Sequence, residues 1–169
     1  MKKNLNLTIA SILLVLFISL STNSCSTDKC KGITCQNGGT CNDGTCACAN
    51  GYEGVNCQTR VNTKFEGTFT KAGDFDCNSN VLAIGVAASN INPVAINLDF
   101  SEAALSWVDL EATVSGNSIT VNPQAKNVEG SDYIITGTGS LNGNAITVYL
   151  TLEDVNGGSP SICTFTGSK

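Results

Sequence analysis

"YIITGTGSLNGNAITVYLTLED", residues 133–154, decides how most of this chain folds. After the turn signal "LNGN" (141–144), Ile146, Val148, Leu150 and Leu152 recur at every second position, which puts them on one face of an extended strand. Two such segments around a short turn rich in Asn and Gly predict a β-hairpin. Gly137 and Gly139 lie inside the strand pattern with no helix behind them, so they read as relief from crowding at a bend and not as a nucleotide loop.

Working outward, "LEATVSGNSITVNP" (110–123) repeats the device. Leu110, Ala112 and Val114 share one face, "SGNS" turns, and Ile119 and Val121 return. Shorter strand candidates are Phe65 to Thr70, Val81 to Ala88, Val94 to Phe100 and Ile162 to Gly167. About eight strands, joined mainly by tight turns, make residues 64–169 an all-β domain. Such an antiparallel up-and-down meander is expected to close into a β-barrel, with a two-sheet β-sandwich as the alternative. Cys77 and Cys163 stand at opposite ends of this domain, and a bridge between them would close an 87-residue loop. In the chain-entropy model that closure stabilises by about 4–5 kcal/mol.

Upstream the pattern changes to cysteine spacing: Cys30-x4-Cys35-x5-Cys41-x4-Cys46-x-Cys48-x8-Cys57. A segment with so little apolar material needs covalent support, although spacing alone leaves fifteen pairings open for six cysteines. Glycines 38, 39, 44, 51 and 54 suit a looped, two-stranded frame. "NGGTC", the C-x-C pair and "GYEGVNC" resemble an epidermal growth factor (EGF)-like domain of the short, tenascin-like kind, over residues 30–57. That resemblance implies the pairings Cys30–Cys41, Cys35–Cys46 and Cys48–Cys57. Zinc binding is not expected, because C-x2-C pairs and histidines are lacking. Calcium is disfavoured too, because Asp28 stands alone before the first cysteine. The polar stretch "QTRVNT" (58–63) reads as a linker.

The first 24 residues have a basic start, an apolar run from Ile9 to Leu20 and small polar residues before Cys25. That run is too short to span a bilayer and fits an export signal. The segment resembles a lipoprotein signal, with Thr22 and Asn23 departing from the usual pattern in the manner of Bacteroidetes-type bacteria. The resemblance implies a lipid anchor on Cys25, a tether over 25–29 and attachment to a membrane; ordinary cleavage after Ser24 is the alternative. Ser26 behind the anchor points to the outer membrane by the sorting rule of enteric bacteria. Both readings export the chain to a compartment where disulfides persist.

The segments "EGTFT", "INPVAINLDF", "ATVSGNSITV" and "GTGSLNGNAITV" also resemble the lipocalin-like C-terminal domains of Bacteroidetes lipoproteins, over about residues 64–169. This resemblance implies a barrel and brings no catalytic motif.

Composition narrows the function classes. Histidine is absent, which removes the commonest general base and zinc ligand. The net charge is −5, and without the leader it becomes −7, from seven basic and fourteen acidic residues. Nucleic acid is therefore not an expected partner. The close acidic pairs are Asp74 with Asp76, Asp109 with Glu111, and Glu153 with Asp154; they read as solubilising turn and strand-end residues. A glycan hydrolase using such a pair is the second alternative for function. Trp107, Tyr133 and Tyr149 are candidates for a ligand rim, and "FSEAALSWVDL" (100–110), which breaks the alternation, is expected as a short helix or wide loop carrying Trp107. No enzyme activity, metal or cofactor is expected. The expected function is non-enzymatic binding or adhesion to a protein or glycan at the cell surface, with a lipocalin-like carrier of a small apolar ligand as the first alternative.

Overall fold

A computed structural model describes residues 28–73, 75–102 and 105–169. Cys25 and Asp74, singled out above, lie outside the described residues. The N-terminal region is held by the disulfides Cys30–Cys41, Cys35–Cys46 and Cys48–Cys57. It contains two small hairpins, β1 (Thr40–Asn42) with β2 (Thr45–Ala47), and β3 (Tyr52–Glu53) with β4 (Thr59–Arg60).

Eight further strands form a closed antiparallel barrel: β5 (Gly67–Lys71), β6 (Val81–Ala88), β7 (Ala95–Glu102), β8 (Leu105–Ser115), β9 (Ser118–Val128), β10 (Ser131–Asn142), β11 (Ala145–Asp154) and β12 (Ser161–Ser168). Strands follow one another around the wall in chain order, and β12 returns to β5. The barrel, and not the sandwich, is therefore the architecture. Both quoted hairpins turn on a two-residue Gly-Asn loop, with Gly116 at φ 56° and Gly143 at φ 58°. A first turn residue at positive φ is what glycine supplies without strain and what the twist of the paired strands favours. Gly137 and Gly139 let β11 pass close to β10: a Cβ on Gly139 would stand 2.5 Å from the Thr147 carbonyl oxygen.

Large side chains fill the interior. Phe69, Phe100, Phe165, Leu98, Leu110 and Leu150 are fully buried. Both ends are plugged as well. At one end a 3₁₀ turn, Val61–Phe65, inserts Val61 and Phe65 into the core. At the other, the β5–β6 connection inserts Phe75, whose ring lies 5.7 Å from Phe100 and 6.0 Å from Phe165. The disulfide Cys77–Cys163 ties that connection to β12.

Residues 58–63 do not behave as a linker. Thr59–Arg60 pairs with Tyr52–Glu53, and the next residues plug the barrel. The polarity of "QTRVNT" concealed this, because its one asparagine is buried for its hydrogen bonds. The Asn62 side-chain amide donates to the carbonyls of Ser89 (3.0 Å), Asn92 (3.1 Å) and Ala95 (2.9 Å). Arg60 grips the same β6–β7 loop through the carbonyls of Ser89 and Asn90. The disulfide-rich module is thus docked on the barrel end: the Val61 N–H donates to the Gly51 carbonyl, and Gly51 lies so close to Pro93 that a Cβ would meet its Cγ at 2.6 Å.

In the stretch 100–110 the described residues, 100–102 and 105–110, are strand and neither helix nor wide loop. β7 runs to Glu102 and pairs it with Leu105 at the start of β8, and a register irregularity between Phe100 and Ser101 accounts for the broken alternation. The first barrel strand begins at Gly67, because Phe65 belongs to the plug.

Candidate functional site

Two of the three rim aromatics meet at the barrel end opposite the disulfide module. Trp107, on β8, and Tyr133, on β10, are half-buried against the core and line a cleft of about 440 Å³ with Asp76, Glu129 and Ile162. Trp107 and Phe75 pack edge to face, with ring centroids 5.6 Å apart and planes at 85°, so the plug orients the indole. Glu129 fixes it from the other side: its Oε1 accepts from the Trp107 indole N–H at 3.1 Å and from the Asn78 amide at 3.1 Å.

Glu129 sits in the two-residue turn between β9 and β10 with φ 53°, followed by Gly130 at φ 88°. Both positions of such a turn require positive φ, which Asn or Gly tolerates far better than Glu. The carboxylate bridge to Trp107 and Asn78 offsets that strain. Tyr149 is not part of this rim. It is 50% exposed on the outer wall, between Thr138 of β10 and Thr164 of β12.

A second cleft lies on the outer wall where β8 meets β9. Their ladder pairs only Thr113–Ser115 with Ser118–Thr120. Farther along, side chains join the two strands. The Gln124 amide accepts from the Glu111 N–H (3.1 Å) and donates to the Glu111 carbonyl (2.8 Å), and Lys126 meets Asp109 at 3.3 Å. The cleft, of about 550 Å³, is bordered by Glu111, Thr113, Asn122, Pro123 and Gln124, with Asn97 and Ala87 on the neighbouring strands.

Among the described residues, the acidic side chains do not assemble into one centre. Asp109 is ion-paired with Lys126, and Asp154 caps its own turn by accepting from the Asn156 N–H at 2.8 Å. Among the described residues, no group of three or more His, Cys, Asp or Glu is placed to hold a metal ion, and no helix is long and apolar enough to cross a membrane. The four disulfides are consistent with an exported or extracellular protein.

Sequence reasoning missed Asn62, Gln124 and Glu129. Only Glu129 left a local trace, as the first residue of a two-residue "EG" turn between apolar-patterned strands. Asn62 and Gln124 act on main chain far from their own positions, which no local pattern reports. Searches against protein-family models, curated proteins and solved structures find no match to this chain.

Proposed function

We propose that this chain is a non-enzymatic binding or adhesion module of the cell envelope. In this reading it is exported as a lipoprotein, held at the outer membrane by lipid on Cys25, and lifted from it by an EGF-like module. The observation that carries the reading is the opposition of the two barrel ends. The disulfide module occupies one end, through the Gly51, Val61 and Asn62 contacts and the Glu53–Lys64 ion pair at 3.1 Å. The Trp107–Tyr133 cleft opens at the other. Eleven residues of β8 in a tilted strand set the two ends roughly 25–30 Å apart. A tether at the module end would therefore turn the aromatic cleft outward.

A rigid module docked on the barrel suits a spacer better than a free-swinging arm does. The filled interior and its two plugs favour recognition on the outside over storage of an apolar cargo inside. Aromatic anchors in a partly desolvated cleft are where binding energy concentrates at protein surfaces.

The test uses the full chain extracted from its own membranes. Intact-mass measurement is expected to find an acyl modification on Cys25 together with four disulfides. Adhesion of vesicles carrying this protein to envelope-matched cells is expected to fall about tenfold or more with Trp107→Ala, as for an interface anchor. An unmodified Cys25 would remove the lipoprotein reading, and undiminished adhesion by the Trp107 variant would remove the cleft as its contact surface.

A further inference from the structure

We propose that the outer-wall cleft over the β8–β9 seam is a second binding site, one that takes a neutral, hydroxyl-rich sugar ring. The cleft exists because β9 cannot lie flat against β8. The β9–β10 register slips between Ile135 and Gly137, where β9 passes from Gln124 to Val121, so Asn122 and Pro123 form a bulge. Pro123 has no N–H to donate, and the β8–β9 ladder stops at Thr113 and Thr120. The gap opened at this point is the cleft of about 550 Å³, within the range of small-ligand sites.

Its lining selects the ligand. The polar side chains offered are the Glu111 carboxylate, the carboxamides of Asn92, Asn97, Asn122 and Gln124, and the hydroxyls of Ser89 and Thr113; no Lys, Arg or aromatic residue borders the cleft. Gln124 is spent on the Glu111 main chain. Asn97 stands directly opposite Glu111 on the adjoining strand, and among the described residues neither of these side chains, nor that of Asn122, has a bonded partner. A carboxamide presents a donor and an acceptor side by side, and a carboxylate accepts from two neighbouring hydroxyls. Sugar hydroxyls, each both donor and acceptor, match that set.

Other ligand classes fit less well. An anion would meet Glu111 with no cation to offset it. An apolar molecule would strand the amides away from water. An extended peptide adding to β8 would need the Glu111 N–H and carbonyl, which Gln124 already holds. Ala87 pairs across from Asn97 and, with Ala95 and Pro123, gives a low apolar floor on which the C–H face of a ring can rest.

The experiment is a titration of the oxidised, isotope-labelled chain with methyl glycosides of glucose, galactose, mannose and N-acetylglucosamine, followed by amide NMR shifts. At least one glycoside is expected to shift the amides of Ala87, Asn97, Glu111 and Thr113 saturably, with dissociation in the millimolar range typical of roughly 4 kcal/mol. Asn97→Ala and Glu111→Gln should each weaken it about five- to tenfold with unchanged thermal midpoint, because neither side chain is bonded in the fold. Trp107→Ala should leave it unchanged, which separates this site from the barrel-end cleft. Absence of saturable shifts with all four glycosides, equal shifts with glycerol, or saturation of the same amides by a peptide in place of a sugar would each overturn the proposal.

Discussion

Between β12 and β5 the ladder pairs only Gly167 with Lys71 and Ser168 with Thr70; between β8 and β9 it pairs only three residues on each side. The barrel thus has two thin seams, and they are closed by different chemistry. At the first, Ala72 and Thr166 exchange two further hydrogen bonds, and the Cys77–Cys163 disulfide joins chain segments 86 residues apart, with Phe75 driven into the core beside it. At the second, Gln124 and Lys126 reach across to Glu111 and Asp109. The difference follows from loop closure. β8 and β9 are consecutive strands held by the Gly116–Asn117 turn, so bringing them together costs little entropy. β5 and β12 are the first and last strands of the wall, so their pairing must be recovered against the freedom of nearly the whole domain.

The largest effect expected from breaking this comparison is at the covalent seam. Replacing both Cys77 and Cys163 by Ser should lower unfolding stability by about 4–5 kcal/mol in the chain-entropy model, read as a drop in the denaturant midpoint of the oxidised protein. A change below about 1 kcal/mol would mean that the Phe75 plug, and not the bridge, holds the first and last strands. Asn62→Ala comes next. It leaves the Ser89, Asn92 and Ala95 carbonyls without their buried donor, at about 2–3 kcal/mol, and should also loosen the β6–β7 loop toward proteolysis. Unchanged stability and cleavage would show that Arg60 and the Val61–Gly51 hydrogen bond suffice to hold that end.

Gln124→Ala should cost about 1 kcal/mol, because water can reach the freed Glu111 groups, and should speed hydrogen exchange at the Glu111 amide relative to amides of the β7–β8 ladder. Lys126→Ala is the smallest: about 0.3 kcal/mol, vanishing in high salt, since Asp109 is 59% exposed. If the Lys126 change exceeded the Gln124 change, charge would be closing the second seam in place of the amide.

Much of the wall was legible in sequence. Alternation of Ile146, Val148, Leu150 and Leu152, and the two Gly-Asn turns, are local statements about backbone geometry, and the strands and hairpins around them followed from neighbouring residues alone. β7 and β8 were harder, because the irregularity at Phe100 and Ser101 shifts the phase of the alternation and mimics a loop. Residues 58–65 were harder still. Their sequence is that of a tether, and only the β6–β7 loop waiting above them turns Asn62 into a buried clamp and Val61 and Phe65 into a plug. Of the candidate rim, Trp107 and Tyr133 converge because each sits near the same barrel end, Trp107 as the unpaired residue of the β7–β8 irregularity and Tyr133 near the start of β10, and both pack against the core there. Tyr149 faces outward because it alternates with the buried Val148 and Leu150.

By itself the sequence determined an all-β chain with a cysteine-rich module ahead of a meander of hairpins, since period-two patterning and turn chemistry act over a few residues. Only the tertiary structure decided that the meander closes as a barrel, that its interior is filled and both ends are plugged, and that two thin seams remain. Closure joins residues separated by most of the domain, and which side chain stands in for a missing main-chain partner depends on where a bulge displaces the strand.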